Sequence, residues 1–328
     1  MGQSLSRFFS LFGSWASQAP AVDDEEDVPE ACQRYRPLRK HPDLFCGHIV
    51  DKWVAPELVE IVRACKTGFN CEPREICPHL REEVAGVYSF PCFTKEFISC
   101  FNEEIANFYA SGIPARRPNS MNNYGVIVNE IGMKPMITEF QQKFIWPIAK
   151  VLFPQQASQF DDHHSFIVRY TASEDLGLDM HTDDSDVTFN VCLGHNFTGA
   201  TLTFCGYMGA PDHRKASHVY SHEVGRAVLH LGNRRHGADD IESGVRMNLI
   251  IWSHNKAWRR IHRLRLSDDY EKEAAPPDPV CLSYTHDRDY LAYKKKPVGR
   301  AAGRNRSWCP PPGMEYEGFP DKDDDTIL

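Results

Sequence analysis

One stretch of the chain decides the fold: His181-Thr-Asp-Asp-Ser-Asp-Val-Thr-Phe-Asn-Val-Cys-Leu193. Residues 187–193 alternate between apolar and polar side chains, which is the pattern of a β-strand with one buried face. Side chains two positions apart in an extended chain share a face. We therefore expect His181 and Asp183 to point into one pocket at the start of this strand.

Three further segments of the sequence predict neighbouring strands. Residues 225–232 predict a strand that ends in a glycine-containing turn, and His236 falls on the edge that follows. Residues 244–252 predict a strongly apolar strand that carries Arg246. Upstream, residues 165–170 predict an apolar strand that ends at Tyr170.

His181, Asp183 and His236, here called the triad, have the donor set of a metal centre. Two imidazoles and one carboxylate hold non-haem Fe(II) and leave coordination positions open for a co-substrate and oxygen. Arg246 is a bidentate, permanently charged donor, which suits the far carboxylate of a dicarboxylate co-substrate. Two alternatives stay open: a zinc hydrolase, in which Arg246 has no evident role, and a non-catalytic interaction protein.

The order of these motifs resembles a known enzyme family. The motifs are His181-x-Asp183, Phe197-Thr-Gly199, the run from Gly225 to His236, and Gly244-x-Arg246. They are similar to those of the 2-oxoglutarate and Fe(II)-dependent dioxygenases of the prolyl 4-hydroxylase and procollagen lysyl hydroxylase type. The resemblance covers residues 163–256 and extends more weakly back toward residue 36.

The resemblance implies an α+β fold with a double-stranded β-helix, or jelly-roll, as its core. It also implies that the triad binds Fe(II) and that Arg246 grips the distal carboxylate of 2-oxoglutarate. Tyr170 stands where the family places a tyrosine whose hydroxyl meets the same carboxylate. Asn190 lies on the opposite face from Phe189, so we expect it to line the co-substrate pocket.

We therefore expect an Fe(II)- and 2-oxoglutarate-dependent dioxygenase. It would use O2 to hydroxylate a carbon of a protein side chain or of a small molecule, releasing succinate and CO2. L-ascorbate would keep the metal ferrous, as the family implies. The alternative is a non-catalytic interaction protein that retains the fold and is membrane-anchored.

The residues ahead of the strands predict a helical support region. Apolar side chains recur at helical spacing over 56–65, over 95–110 and over 136–152, the last interrupted at Pro147. In the resembling enzymes such helices buttress the larger sheet. We therefore expect a helical support region at 36–160 and the dioxygenase domain at 161–257.

Composition limits the remaining classes. A formal net charge of −8 gives no reason to expect sequence-specific binding of nucleic acid. The 11 cysteines form no CxxC pair, which argues against a zinc framework and favours reduced thiols in the cytoplasm.

The two ends of the chain predict different behaviour from the core. Met1-Gly2-Gln-Ser-Leu-Ser6 fits the N-myristoylation pattern, which predicts weak membrane association through Gly2. The segment 1–35 otherwise predicts disorder, with an acidic run at 23–27. The segment 258–328 is basic and proline-rich and predicts a largely disordered tail.

Overall fold

The computed structural model describes residues 28–67, 77–194, 196–207 and 217–262. Gly2 and most of the C-terminal tail lie outside the described residues, so the predictions made for them stay predictions. Within the described ranges, every helix is too short or too polar to cross a bilayer.

Within the described residues, five α-helices precede the central strands. They are α1 (Glu30–Tyr35), α2 (Pro56–Lys66), α3 (Lys95–Ala110), α4 (Lys134–Phe140) and α5 (Trp146–Leu152). Single 3₁₀ turns lie at Arg36–Leu38, Pro42–Phe45 and Asp51–Trp53, and π-helical segments at Asn129–Met133 and Gln141–Ile145. The three helices expected from apolar spacing are present.

The helical run 134–152 is irregular just ahead of Pro147, where the sequence predicts an interruption. The irregular part of the helical run is the π segment Gln141–Ile145, and Pro147 lies in the first turn of α5. The chain is already helical at Ile145, so Pro147 lies inside a continuous run, and its missing N–H removes a hydrogen bond to the preceding turn.

Twelve strands in the described part of the chain follow or interleave with the helices. They are β1 (Arg81–Val84), β2 (Val87–Pro91), β3 (Gly125–Ile127), β4 (Asp162–Thr171), β5 (Leu178–His181), β6 (Val187–Gly194), β7 (Phe197–Gly199), β8 (Leu202–Tyr207), β9 (His218–Tyr220), β10 (Arg226–Leu231), β11 (Arg234–Ala238) and β12 (Ile241–His254).

The strands form two antiparallel sheets. The larger sheet has the order β1-β2-β10-β6-β12-β4-β3, with β7 paired to β12. The smaller sheet has the order β5-β11-β8-β9. Side chains of both sheets line one cleft between them, an arrangement consistent with the expected double-stranded β-helix.

Strand β6 differs from its prediction because it is buried on both faces along its whole length. Phe189 packs into the main core beneath the helices, with its ring centroid 5.5 Å from that of Phe140 and 6.4 Å from that of Phe90. Thr188 and Asn190 point the other way and line the cleft. The strand therefore separates the helical layer from the functional side of the sheet.

Helix α3 binds the first residues of the described chain, which belong to or follow the predicted N-terminal tail. Thr94 caps it by accepting from the backbone N–H of Phe97 at 3.4 Å. On its buried face, Glu104 accepts from the hydroxyl of Tyr35 at 2.5 Å and from the backbone N–H of Lys40 at 3.0 Å. Residues 30–35 are thus helical and attached, within the segment predicted to be disordered.

Two further segments correct the predicted boundaries. Strands β1 and β2 lie inside the region predicted to be helical, and β2 joins the larger sheet by pairing with β10. Residues 256–262 form a helix beyond the predicted limit of 257. Arg259 on this helix donates to the carboxylates of Asp186 and Asp184, at 2.9 and 2.8 Å.

Candidate metal centre

The smaller sheet brings the two imidazoles of the triad together. His181 ends β5 and is the direct antiparallel partner of His236 on β11, so the two ring centroids lie 4.4 Å apart. Asp183 follows in the loop after β5, where its backbone N–H donates to the carbonyl of Gly232 at 2.9 Å. Nε2 of His181 lies 3.4 Å from Oδ1 of Asp183, and Nε2 of His236 lies 3.5 Å from Oδ2.

These three residues are the group, within the described ranges, whose ligand atoms converge as a metal requires. One donor atom from each lies within 4.8 Å of the others. The expectation that His181 and Asp183 share a pocket therefore agrees with the geometry, although Asp183 lies in a loop rather than in the strand.

A glycine permits the loop that carries Asp183 to approach the end of β10. A Cβ on Gly232 would lie 2.0 Å from the carbonyl oxygen of Ser185, a distance that no side chain can accept. The backbone N–H of Gly232 also donates to the carbonyl of Asp186. The glycine thus fixes the loop against β10 and places the carboxylate beside the two imidazoles.

Hydrogen bonds orient the side chains of His236 and Asp183. Nδ1 of His236 lies 2.9 Å from the carbonyl oxygen of Arg234, so Nδ1 carries the proton and the lone pair of Nε2 faces the triad. The hydroxyl of Thr188 donates to Oδ2 of Asp183 at 2.6 Å, and Ser185 lies 2.6 Å from that hydroxyl. Both contacts hold a ligand atom toward the centre of the group.

The electrostatics of the triad suit a divalent cation. Burial lowers the pKa of His236 to about 3, so the imidazole is uncharged near neutral pH. Burial alone would raise the pKa of Asp183, but His236 and His181 beside it bring the pKa below its usual value. An uncharged imidazole at His236 and an anionic carboxylate at Asp183 are the states in which these two groups bind a metal.

The cleft contains a buried cation at a second position. Arg246 on β12 is 1% exposed and is the register partner of Tyr170 on β4. Its guanidinium carbon lies 4.5 Å from the centroid of the Tyr170 ring, and its Nη1 donates to the carbonyl of Ala200 at 2.5 Å. Among the described residues no carboxylate lies within ion-pair distance of this guanidinium, and its Nε has no partner.

The triad, Arg246, Tyr170 and Asn190 line the same cleft, which is open to solvent and has about 400 Å³ of empty space. Asn190 also accepts from the side-chain amide of Asn248 at 2.6 Å. The structure therefore brings together every site residue that the sequence suggested.

Sequence reasoning missed one side of the cleft. Asn119 and Asn122 line it from the loop ahead of β3, and Asn122 donates to the hydroxyl of Tyr170 at 3.1 Å. The asparagine-rich run Asn119-Ser-Met-Asn-Asn123 was the available signal, but such runs are typical of any turn.

Another imidazole lies close to the triad without joining it. His230 on β10 was interpreted as a structural strand-end residue, and it is fully buried with its ring centroid 4.7 Å from that of His236. Its Nδ1 lies 2.9 Å from the carbonyl oxygen of Leu231, and burial lowers its pKa. Its ring therefore packs as a wall behind His236.

Comparison with known proteins finds relatives of this chain. A family model described as an OGFOD2-like domain matches residues 32–158. The chain is 38% identical over 233 residues to the human 2-oxoglutarate and iron-dependent oxygenase domain-containing protein 2, covering 69% of this chain and 64% of that protein. The chain is a relative of the OGFOD2-like oxygenase domain proteins.

Similar proteins occur in fish and plants. The Danio rerio protein of the same name is 36% identical over 221 residues, which cover 66% of this chain and 63% of that protein. The protein ICU11 of Arabidopsis thaliana, also named as a 2-oxoglutarate and iron-dependent oxygenase domain-containing protein, is 37% identical over 190 residues, covering 55% and 48%. The OGFOD2-like chain thus spans less than two thirds of the length of these relatives.

Proposed function

We propose that this chain is an Fe(II)- and 2-oxoglutarate-dependent dioxygenase. It hydroxylates a carbon of a protein side chain or of a small molecule and releases succinate and CO2. One observation carries the proposal: the triad lines the same cleft as a buried guanidinium that has no carboxylate partner among the described residues. The names of the relatives, which specify iron and 2-oxoglutarate, support it.

The triad fits a ferrous ion by its chemistry. Two imidazoles and one carboxylate would hold Fe(II) and leave coordination positions open to a co-substrate and oxygen, which a closed structural site would not do. When bound, Fe(II) supplies the oxidising chemistry, with 2-oxoglutarate as the electron donor and L-ascorbate as the expected reductant of the idle metal. The protein supplies orientation and the exclusion of water.

Arg246 fits the far end of 2-oxoglutarate. A buried charge without a counter-ion is costly, and an incoming carboxylate would compensate it with charge-assisted hydrogen bonds. Tyr170 stacks on the guanidinium and offers a hydroxyl at the same end of the cleft. Leu178 and Ile250 are among the apolar walls, which lower the local dielectric and strengthen these contacts.

The test is co-substrate turnover without a primary substrate. Purified protein with Fe(II), ascorbate and 2-oxoglutarate should release succinate, measured by mass spectrometry, and Asp183→Ala should abolish the release. The control variant is His48→Ala, because His48 is an exposed histidine away from the cleft. It should behave like the wild type.

A second measurement separates the dioxygenase from the interaction protein. The wild-type chain should bind 2-oxoglutarate in calorimetry only when a divalent metal is present. If it neither binds 2-oxoglutarate nor releases succinate, the dioxygenase proposal is wrong and the fold serves another purpose. Hydroxylation itself is scored as a mass gain of one oxygen in peptide and metabolite pools.

A further inference from the structure

The loop 114–124 belongs to the OGFOD2-like part of the chain, yet it forms one wall of the cleft between the sheets. It is held from several sides: Arg117 donates to the carbonyls of Asn122 and Ser120, at 3.1 and 3.0 Å. His164 lies 2.8 Å from the carbonyl of Pro118. A loop with this many internal contacts presents its side chains in a fixed arrangement.

The orientation of each carboxamide in this loop follows from its backbone. Oδ1 of Asn119 accepts from the backbone N–H groups of Met121 and Asn122, at 2.8 and 2.7 Å. Its other atom must therefore be the amide nitrogen, and this nitrogen donates to Oδ1 of Asn122 at 3.0 Å. The atom of Asn122 that faces Tyr170 is then its own nitrogen, a donor.

This chain of hydrogen bonds decides where the proton of Tyr170 can go. The phenol oxygen accepts from Asn122, so its single O–H must find an acceptor elsewhere. Arg246, stacked on the ring, has donors only and cannot accept. Burial raises the pKa of Tyr170, so the phenol keeps its proton.

We propose that Asn122 is a positioning residue for the co-substrate: it fixes the hydroxyl of Tyr170 as a donor toward the carboxylate that Arg246 binds. The inference rests on the proposed function, since the acceptor is the distal carboxylate of 2-oxoglutarate. It assigns to the OGFOD2-like part of the chain a direct share in co-substrate recognition. Asn122 suits this role because it is 1% exposed and cannot turn toward solvent.

The experiment measures binding of 2-oxoglutarate by calorimetry, with Mn(II) in place of Fe(II) so that no turnover occurs. Asn122→Leu removes the donor at similar size and should weaken binding several-fold. Asn122→Asp replaces the donor by an acceptor that captures the phenol proton, and it should weaken binding at least as much as Tyr170→Phe, about tenfold or more. Mn(II) affinity should not change in any of these variants.

A double-mutant cycle separates positioning from a structural role. If Asn122 acts through Tyr170, Asn122→Leu has no further effect in the Tyr170→Phe background. Multiplicative losses in the double variant, or an unchanged Kd for Asn122→Leu alone, would overturn the inference. Asn119→Ala gives a second route should Asn122→Leu fail to fold, because it frees the carboxamide of Asn122 to turn over, and its effect should likewise vanish with Tyr170→Phe.

The controls distinguish the two levels of the argument. Ser120→Ala changes a polar side chain in the same loop, at an exposed position that does not line the cleft, and should bind like the wild type. Pyruvate, a 2-oxo acid without a distal carboxylate, should bind equally to the wild type and to Asn122→Leu. A wild type that binds no 2-oxoglutarate sinks the proposed function and this inference with it, whereas normal binding by Asn122→Leu sinks the inference alone.

Discussion

Thr188→Val removes a hydroxyl that is not part of the triad but is hydrogen-bonded to one of its residues. Thr188 is buried in β6, and its hydroxyl donates to Oδ2 of Asp183 at 2.6 Å. Since its only proton goes to the carboxylate, the neighbouring hydroxyl of Ser185 must donate to Thr188. Valine keeps the branched shape of the side chain, so the packing of the strand is preserved while this line of hydrogen bonds is broken.

The structure sets the size of the expected loss. A hydrogen bond to a charged group is worth about 1.5–3 kcal/mol, and each 1.4 kcal/mol is about tenfold in affinity. In Thr188→Val, the carboxylate of Asp183 loses the donor that orients it. The carboxylate must then be ordered when the metal binds, and this cost lowers the affinity. We expect metal affinity to fall roughly 10- to 100-fold, the range typical of partners that hold a ligand in place.

The assay is a titration of the metal-free protein with Mn(II) and, under anaerobic conditions, with Fe(II). Thr198→Val is the matched control, because Thr198 is exposed on β7 and its hydroxyl pairs with that of Ser243 at 2.8 Å. Thermal melting should report a folded protein in both variants. Equal metal affinity in Thr188→Val and wild type would refute the reasoning, and so would an equal loss in both variants.

Three further outcomes follow from buried charges. Arg246→Met should abolish 2-oxoglutarate binding in calorimetry without lowering Tm, because it removes a buried cation that has no carboxylate partner among the described residues; a large drop in Tm would contradict this. Arg259→Gln should lower both Tm and metal affinity, because Arg259 holds Asp186 near the triad, while Arg260→Gln at the exposed next position should change neither quantity. Burial lowers the pKa of His163 to about 4. Between about pH 6.5 and pH 4, His163 is therefore protonated in the unfolded chain but not in the folded chain. The free energy of unfolding falls as the pH is lowered through this range. The difference in the free energy of unfolding between pH 7 and pH 4 should be smaller in His163→Asn by up to about 3 kcal/mol, measured by urea denaturation, and an equal difference in both proteins would count against the assignment.

Local sequence patterns were sufficient to predict elements whose apolar residues recur with a single period. Helix α3 has the bounds that its apolar spacing predicts, because its buried face is a single stripe through Phe97, Phe101, Ile105 and Phe108. His181 and Asp183 were also found from their close spacing in the sequence, although Asp183 lies in the loop after β5 and not in an extended strand. The sequence also predicted that Arg246 lies on a strand. It is noticeable there because it is the one charged side chain in the apolar run 244–252.

What the sequence could not provide was contact between distant segments. Asn122 meets Tyr170 across 48 positions of the chain, and Arg259 meets Asp186 across 73. Neither pair has a period or a spacing that identifies it. The burial of both faces of β6 has the same origin, because the helical layer that covers Phe189 comes from a segment far upstream.

These distant contacts define the unit that must be kept intact. The segment 161–257, predicted as the dioxygenase domain, contains the triad, Arg246 and Tyr170, but each end of its cleft is completed from outside. Loop 114–124 supplies the donor to Tyr170, and the helix at 256–262 holds the loop that carries Asp183. A fragment limited to 161–257 would also expose Phe189 and its neighbours to water, at about 1.5–3 kcal/mol for each large apolar side chain. The helical region is therefore as much a part of the site as the strands that carry the ligands.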